Sequence, residues 1–278
     1  MQDKLTDPRI IQQTLKQHQF QFSKQNGQNF LINANIPEQM AQLFKGRTVL
    51  EIGPGFGGLT QSLCRKAEFV IAVETDRRLI PILQNNLKDC ENLKLIQGDA
   101  LELDLNSLFI DKYSVCANLP YSITAPILTK LLQNTTADTI VVMVQKEVAE
   151  RICAKPATKQ YGAFTIFCRM YADCEILFFV EPDNFIPQPK VQSAVIQFTR
   201  HNNPIVPEHC VKTTKRLVKA AFAQRRKTLI NALSAGLAMS KQELEQKLTK
   251  SGIDCQLRGE ALTLEDYIRI AENIISEE

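Results

Sequence analysis

The chain is 278 residues long, enough to bury a sizeable core without disulfide help. Its 44% hydrophobic and 23% charged residues are ordinary for a globular protein and exclude wholesale disorder, collagen-like repeats and coiled coil. The net charge of +3 is too small to single out nucleic acid as a partner, because charge acts where it clusters.

No run approaches the roughly 18 apolar residues of a membrane span, the longest candidates being 140–144 and 176–180. The chain is expected not to cross a bilayer. Its start, Met1-Gln2-Asp3-Lys4, lacks a basic region leading into an apolar stretch, so a cytoplasmic location is expected. Eight cysteines are scattered without a C-x-x-C pair, and His18, His201 and His209 do not interleave with them. No metal site is expected, and the thiols read mostly as small buried hydrophobes.

In chain order, a glutamine-rich polar arm runs to Asn29. From 48 to about 145, β-branched runs alternate with amphipathic stretches, the pattern of an α/β parallel sheet with crossover helices. The spacing predicts strands at 48–52, 69–74, 93–97, 113–117 and 139–144, with helices at 59–66, 77–87 and 125–132. Right-handed crossovers bring the C-terminal strand ends to one edge, where open α/β sheets bind ligands. Two further apolar runs, 164–180 and 191–199, flank a proline-punctuated stretch and read as extra strands, a hairpin on the sheet edge. Near His201-Asn202-Asn203-Pro204 the pattern turns helical and stays so, which places a domain boundary between 1–203 and a small helical domain, 204–278. Within 211–233 lie Lys212, Lys215, Arg216, Lys219, Arg225, Arg226 and Lys227, without an acid. Such a run reads equally as a solvated helix face or as a polyanion contact.

The motifs fall at the predicted strand ends. Glu51-Ile52-Gly53-Pro54-Gly55-Phe56-Gly57-Gly58 closes the first strand, and its glycines permit positive φ and close approach of backbone N–H groups to a ligand. Glycine-rich turns serve NAD enzymes, flavoproteins and methyltransferases alike. Here the intervening proline and leading glutamate favour S-adenosylmethionine, which has no pyrophosphate to cradle. Glu74, twenty-one residues beyond Gly53, ends the second strand where a carboxylate can accept both ribose hydroxyls; NAD fits that criterion too. Gly98-Asp99-Ala100 closes the third strand, and its aspartate can accept an adenine amine. Asn118-Leu119-Pro120-Tyr121 closes the fourth. Proline ends the ladder and exposes the preceding carbonyl, so Asn118 and Leu119 can both accept from one planar amine. Tyr121 offers a ring for base stacking, worth roughly 1–3 kcal/mol per base.

With these residues in place, the chain resembles the ribosomal RNA adenine dimethyltransferases. The resemblance extends over Gly27-Gln28-Asn29-Phe30-Leu31, Glu51 through Thr60, Gly98-Asp99-Ala100, Asn118 to Tyr121, Tyr161-Gly162, Phe185 to Val195, and Ala221 to Leu229, the last of which looks most like the small-subunit branch. One departure is Arg258-Gly259-Glu260, with glycine where the family usually carries proline. The resemblance implies a Rossmann-like S-adenosylmethionine-dependent methyltransferase sheet with a small all-helical C-terminal domain. It implies cofactor contacts from Asn29, Leu31, Gly53, Glu74, Asp99 and Asn118, with Gly55 and Ala100 of the same motifs beside them. It also implies a catalytic set of Asn118, Leu119, Pro120 and Tyr121, with Phe185 as a second ring against the base. Arg225, Arg226 and Lys227 would meet RNA, the partner being small-subunit rRNA in an immature ribosomal subunit and the enzyme a monomer. Competing expectations are a large-subunit adenine methyltransferase of the antibiotic-resistance type, a non-catalytic RNA-binding assembly or transcription factor on the same fold, and an NAD oxidoreductase.

Overall fold

The computed structural model describes residues 4–20 and 28–275, which divide into two compact units: 1–149 with 175–200, and 150–174 with 201–278. Gly27, the first residue of the N-terminal motif, lies outside the described residues.

The first unit opens with α1 (Pro8–Gln17), started by the Asp7 carboxylate, which accepts the Arg9 N–H, and by proline in the first turn. Its apolar face sends Ile11 and Leu15 into a cluster with Leu5, Phe30, Phe56, Leu79 and Leu83. There follow β1 (Phe30–Leu31), α2 (Asn35–Leu43), β2 (Thr48–Ile52), α3 (Gly58–Lys66), β3 (Phe69–Glu74), α4 (Ile80–Asn86), β4 (Leu93–Gln97), β5 (Ser114–Asn118), α5 (Thr124–Asn134) and β6 (Thr139–Gln145). Each predicted strand in this stretch is present within one residue; β2, β3, β5 and β6 are largely buried β-branched runs, whereas β4 is the partly exposed strand at the sheet's edge.

The chain continues through α6 (Lys146–Ile152), α7 (Ala163–Arg169), β7 (Ala172–Val180), β8 (Phe185–Ile186) and β9 (Ser193–Arg200). The seven-stranded sheet has the order β4-β3-β2-β5-β6-β9-β7, parallel from β4 to β6, with β9 antiparallel to β6. This is the Rossmann-like sheet expected from the sequence. Its register sets Ile52 beside Val73, Glu74 beside Gln97 and Asn118 beside Met143, so the four motifs share one edge. Separately, β1 and β8 form a two-stranded ladder, Leu31 opposite Phe185.

The first half of the 164–180 run is helix rather than strand. Gly162 donates its N–H to Thr165 Oγ1 at 3.1 Å, starting a turn in which Phe164 and Phe167 stack at a three-residue spacing. β7 and β9 are neighbours at one end of the sheet, β7 as the edge strand and β9 between it and β6, in keeping with the expected hairpin there.

The second unit contains α8 (Val211–Ala223), α9 (Leu229–Leu237), α10 (Lys241–Lys250) and α11 (Leu264–Ile275) around a core of Leu217, Leu229, Leu233, Leu244, Leu248, Tyr267 and Ile270. Its extent differs from the expected single changeover at 203/204. Residues 150–174 join it, since Tyr161, Ile166 and Met170 are buried in that same core and Tyr161 donates its hydroxyl to the Leu262 carbonyl at 2.8 Å. Gly259 is dictated by packing: a Cβ there would stand 2.7 Å from Ala221 Cβ, and its carbonyl accepts the buried Tyr267 hydroxyl at 2.9 Å.

The eight cysteines are free thiols. Three of them, Cys116, Cys168 and Cys210, are buried and the other five are half-buried, so fewer are core residues than composition suggested. No helix among the described residues is long and apolar enough to cross a membrane.

Candidate active site

A cleft at the C-terminal edge of β2, β3, β4 and β5 is lined by every residue expected to hold the cofactor: Asn29, Leu31, Gly53, Gly55, Glu74, Asp99, Ala100 and Asn118. The first glycine turn forms its floor. Gly53 (φ 70°) and Gly55 (φ 60°) adopt left-handed backbone that other residues enter at a cost. A Cβ on Gly55 would meet the Phe30 ring at 3.0 Å, and one on Gly53 would lie 3.5 Å from the Pro120 ring. Both side-chain-free positions keep the cleft open.

Glu74 stands in the opposite wall, 5% exposed. Gly55 donates its N–H to Oε2 at 3.2 Å and Asp76 donates its N–H to Oε1 at 2.8 Å. Each carboxylate oxygen keeps a lone pair for a further donor. Burial raises the Glu74 pKa against the lowering effect of those two N–H donors. Asp99 is held by the Leu101 N–H at 2.8 Å on Oδ1.

At β5 the arrangement is neutral. Asn118 donates its side-chain amide to the Asn29 carbonyl at 3.2 Å, which assigns Nδ2 to the protein and leaves Oδ1 to face a ligand. The Leu119 N–H donates to the Met143 carbonyl at 3.1 Å, extending the ladder by one bond, while the Leu119 carbonyl accepts from no described group. Pro120 then turns the chain into a 3-10 turn, Tyr121–Ile123, closed by the Ile123 N–H to the Pro120 carbonyl at 3.2 Å. Tyr121 lines the cleft and its hydroxyl meets Ser193 Oγ at 2.7 Å.

Phe185 departs from expectation. It is 3% exposed, opposite Leu31 in the β1–β8 ladder and packed in the core with Met40 and Phe44, so its ring belongs to the hydrophobic layer and does not line the cleft. The reason is register: the two-residue ladder turns alternate residues to opposite faces, and Phe185 takes the inward one.

Sequence reasoning took Glu51 only as part of the motif that favours S-adenosylmethionine and gave no role to Gln28 and Asp76. Glu51 is buried in the cleft wall with Oε2 unpartnered, and burial pushes its pKa up to about 8, helped by nearby Glu74. The signal was present in the sequence as a charged residue inside an apolar strand. Gln28, also in the wall, donates to Asp76 Oδ2 at 2.9 Å and ties the N-terminal segment to the end of β3. The Arg78 guanidinium beside Asp76 holds that carboxyl down at about 2.

In the second unit the three expected RNA contacts differ in kind. Arg225 is engaged: it pairs with Glu260 at 2.8 Å and donates to the Lys159 and Tyr161 carbonyls at 3.2 Å. Arg226 and Lys227 are exposed and form no ion pair among the described residues, as do Lys212, Arg216 and Lys219 on α8.

Fold and cleft together define a Rossmann-like methyltransferase, a parallel sheet presenting a glycine turn, a buried carboxylate and an Asn-Leu-Pro-Tyr end at one edge. The family model described as ribosomal RNA adenine dimethylase matches residues 19–276, and the chain belongs to this family. It is 44% identical to the ribosomal RNA small subunit methyltransferase A of Alkaliphilus metalliredigens, over 98% of both chains. It is 41% identical to that of Clostridium acetobutylicum, over 94% of this chain and 97% of the relative. Among solved structures, a dimethyladenosine transferase from Plasmodium falciparum superposes with a TM-score of 0.73 at 25% identity, covering 89% of this chain and 98% of the other. A 23S rRNA methyltransferase shares the fold, with a TM-score of 0.71 at 24% identity over 88% of this chain and 99% of the other.

Proposed function

We propose that this enzyme dimethylates the exocyclic amines of two adjacent adenosines near the 3′ end of small-subunit (16S) rRNA, acting on immature subunits in the cytoplasm as a monomer. S-adenosylmethionine, the methyl donor of its family, fits the cleft: side-chain-free glycines line it, Glu74 has acceptor capacity left, and the orphaned Glu51 oxygen suits a cationic ligand. When bound, that cofactor supplies an electrophilic methyl group on its sulfonium. Glu74 would hold the ribose hydroxyls, Asp99 the adenine amine, and Asn29, Leu31, Gly53, Gly55 and Ala100 the remaining surface.

The observation that carries the catalytic reading is the orientation of Asn118. An adenine amine is a weak nucleophile because its lone pair is delocalised into the ring. The Asn29 carbonyl fixes the Asn118 amide so that Oδ1 is free, and the Leu119 carbonyl is free beside it. Two acceptors on one amine hold its N–H bonds and turn the lone pair out of the ring plane toward the donor side of the cleft. Orientation of this kind supplies most of the rate in such a displacement. The methylated nitrogen is acidic and gives its proton to water, so no side chain is assigned as general base. The second transfer uses the one remaining N–H. Pro120 and Tyr121 form the end wall against which the base stacks.

The test is incubation with labelled cofactor and immature small subunits from cells lacking the enzyme, followed by mapping of the modified nucleotides. Two neighbouring dimethyladenosines near the 3′ end are expected. Label confined to large-subunit rRNA would support the antibiotic-resistance type instead, and binding without transfer would support a non-catalytic factor. The relatives' names and the Ala221 to Leu229 string favour the small subunit.

A further inference from the structure

The backbone at Tyr121 is held by its own turn, in which the Pro120 carbonyl accepts the Ile123 N–H and, at 3.3 Å, the Thr124 hydroxyl. Neither bond restrains the ring. Among the described residues the Tyr121 side chain is hydrogen-bonded to Ser193, its hydroxyl 2.7 Å from Ser193 Oγ. Ser193 lies seventy-two positions away in sequence, at the first residue of β9, and antiparallel register sets it opposite Gln145. It is fully buried and followed by Ala194, Val195 and Ile196, all buried, so its hydroxyl is the polar exception in an apolar run. A buried hydroxyl costs free energy unless it is bonded, and Tyr121 is the partner that satisfies it. Burial raises the Tyr121 phenol above its ordinary pKa, so it remains neutral and can donate or accept across this contact at working pH.

We propose that Ser193 is a positioning residue for methyl transfer: its hydroxyl, delivered by β9, locks the Tyr121 ring as the wall against which the target adenine stacks. This rests on the reading that Tyr121 faces the base. The arrangement couples two parts of the first unit, since the parallel core supplies the acceptors at the end of β5 while the antiparallel edge sets the angle of the ring beside them. A ring free to rotate about its side-chain bonds would still exclude water. It would hold the amine within reach of Asn118 and Leu119 for a smaller fraction of encounters, so kcat would fall with little change in the affinity for either substrate.

The test compares Ser193→Ala, Tyr121→Phe and the double variant on immature small subunits. Each single change removes the same bond from a different side, and Tyr121→Phe leaves no cavity at Ser193. Each is expected to lower kcat about tenfold, the order of one ordered hydrogen bond, with KM and cofactor affinity unchanged and the double variant no worse than either single. Protein labelled with 3-fluorotyrosine provides a readout independent of turnover. Of the five tyrosine signals, the one absent in Tyr121→Phe should move toward the position of free tyrosine in Ser193→Ala. Additive losses in the double variant, or a Ser193→Ala enzyme with an unmoved fluorine signal and normal kcat, would overturn the proposal. Tyr121→Ala separates the two levels. Full turnover there overturns the base-platform reading itself, whereas lost turnover beside a normal Ser193→Ala overturns only the positioning role.

Discussion

The two compact units handle charge in opposite ways. In the first, the buried ionisable side chains among the described residues are Glu51, Glu74 and Asp76, all within or just beyond β2 and β3; Glu51 and Glu74 line the cleft directly. In the second, the described buried charge is Lys247, whose ammonium is bonded to the Asn273 carbonyl, while Lys212, Arg216, Lys219, Arg226 and Lys227 stand in solvent. Burying a charge is costly and is sustained where it meets a specific ligand or partner; displaying it is cheap and suits a polyanion read by shape. On the proposed function, one unit would act at a point and the other would adhere over a surface.

The contrast breaks most decisively at Asn118. Asn118→Ala should lower turnover by about a hundredfold or more while cofactor affinity, measured by calorimetry, stays within a few-fold, since the acceptor acts on developing charge in the transition state. Near-normal turnover would remove the acceptor role. Glu74→Ala should act on binding instead, weakening cofactor affinity by about ten- to a hundredfold, the range for hydrogen bonds to a charged group.

On the displayed side, neutralising Arg226 and Lys227 together should weaken binding to small-subunit particles and reduce the slope of log affinity against log salt by roughly one to two, as each lost phosphate contact releases fewer ions. Arg225 should behave differently. Its pairing with Glu260 and two carbonyls makes Arg225→Ala a change in local order at the α8 terminus, with loss of melting temperature as well as affinity. Gly259→Ala, which drives a Cβ onto Ala221, should cost about 1–3 kcal/mol by thermal or denaturant unfolding and leave cofactor affinity of the folded protein unchanged.

The smallest effect concerns Glu51. Its folded pKa of about 8 lies above the ordinary 4.5, so the folded protein holds a proton that the unfolded chain releases as pH rises between those values. Stability of the cofactor-free protein therefore declines through that window on this group's account. Glu51→Gln mimics the protonated form and should flatten the decline, with its gain over the parent larger at pH 8 than at pH 5. Parallel stability profiles for the two proteins would show that Glu51 is already ionised in the fold.

The strand ends were legible because two short-range signals coincided there: apolar runs that stop, and glycine, acidic or Asn-Leu-Pro residues at or just after their last position. Those signals pointed to Gly53, Gly55, Glu74, Asp99, Ala100 and Asn118, while Asn29 and Leu31 came only with the resemblance; all eight line one cleft. Phe185 was misplaced because the motif names a ring without stating its face, and face depends on the pairing of β8 with β1. The 164–180 run misled for a related reason: aromatic and β-branched residues satisfy a strand pattern, yet a glycine cap and a three-residue aromatic spacing make its first half a helix.

Local chemistry along the chain thus determined which elements form and which side chains stand at their ends, since strand propensity, turn residues and charge placement act over a few positions. Tertiary structure alone decided the rest: that the Asn29 carbonyl aims Asn118, that Ser193 reaches Tyr121, that residues 150–174 join the helical unit, and that Arg225 is bound while Arg226 is free. Each of these is a contact between segments distant in sequence, fixed by sheet register or by the filling of a core, and neither quantity has a local signature in the residues that make the contact.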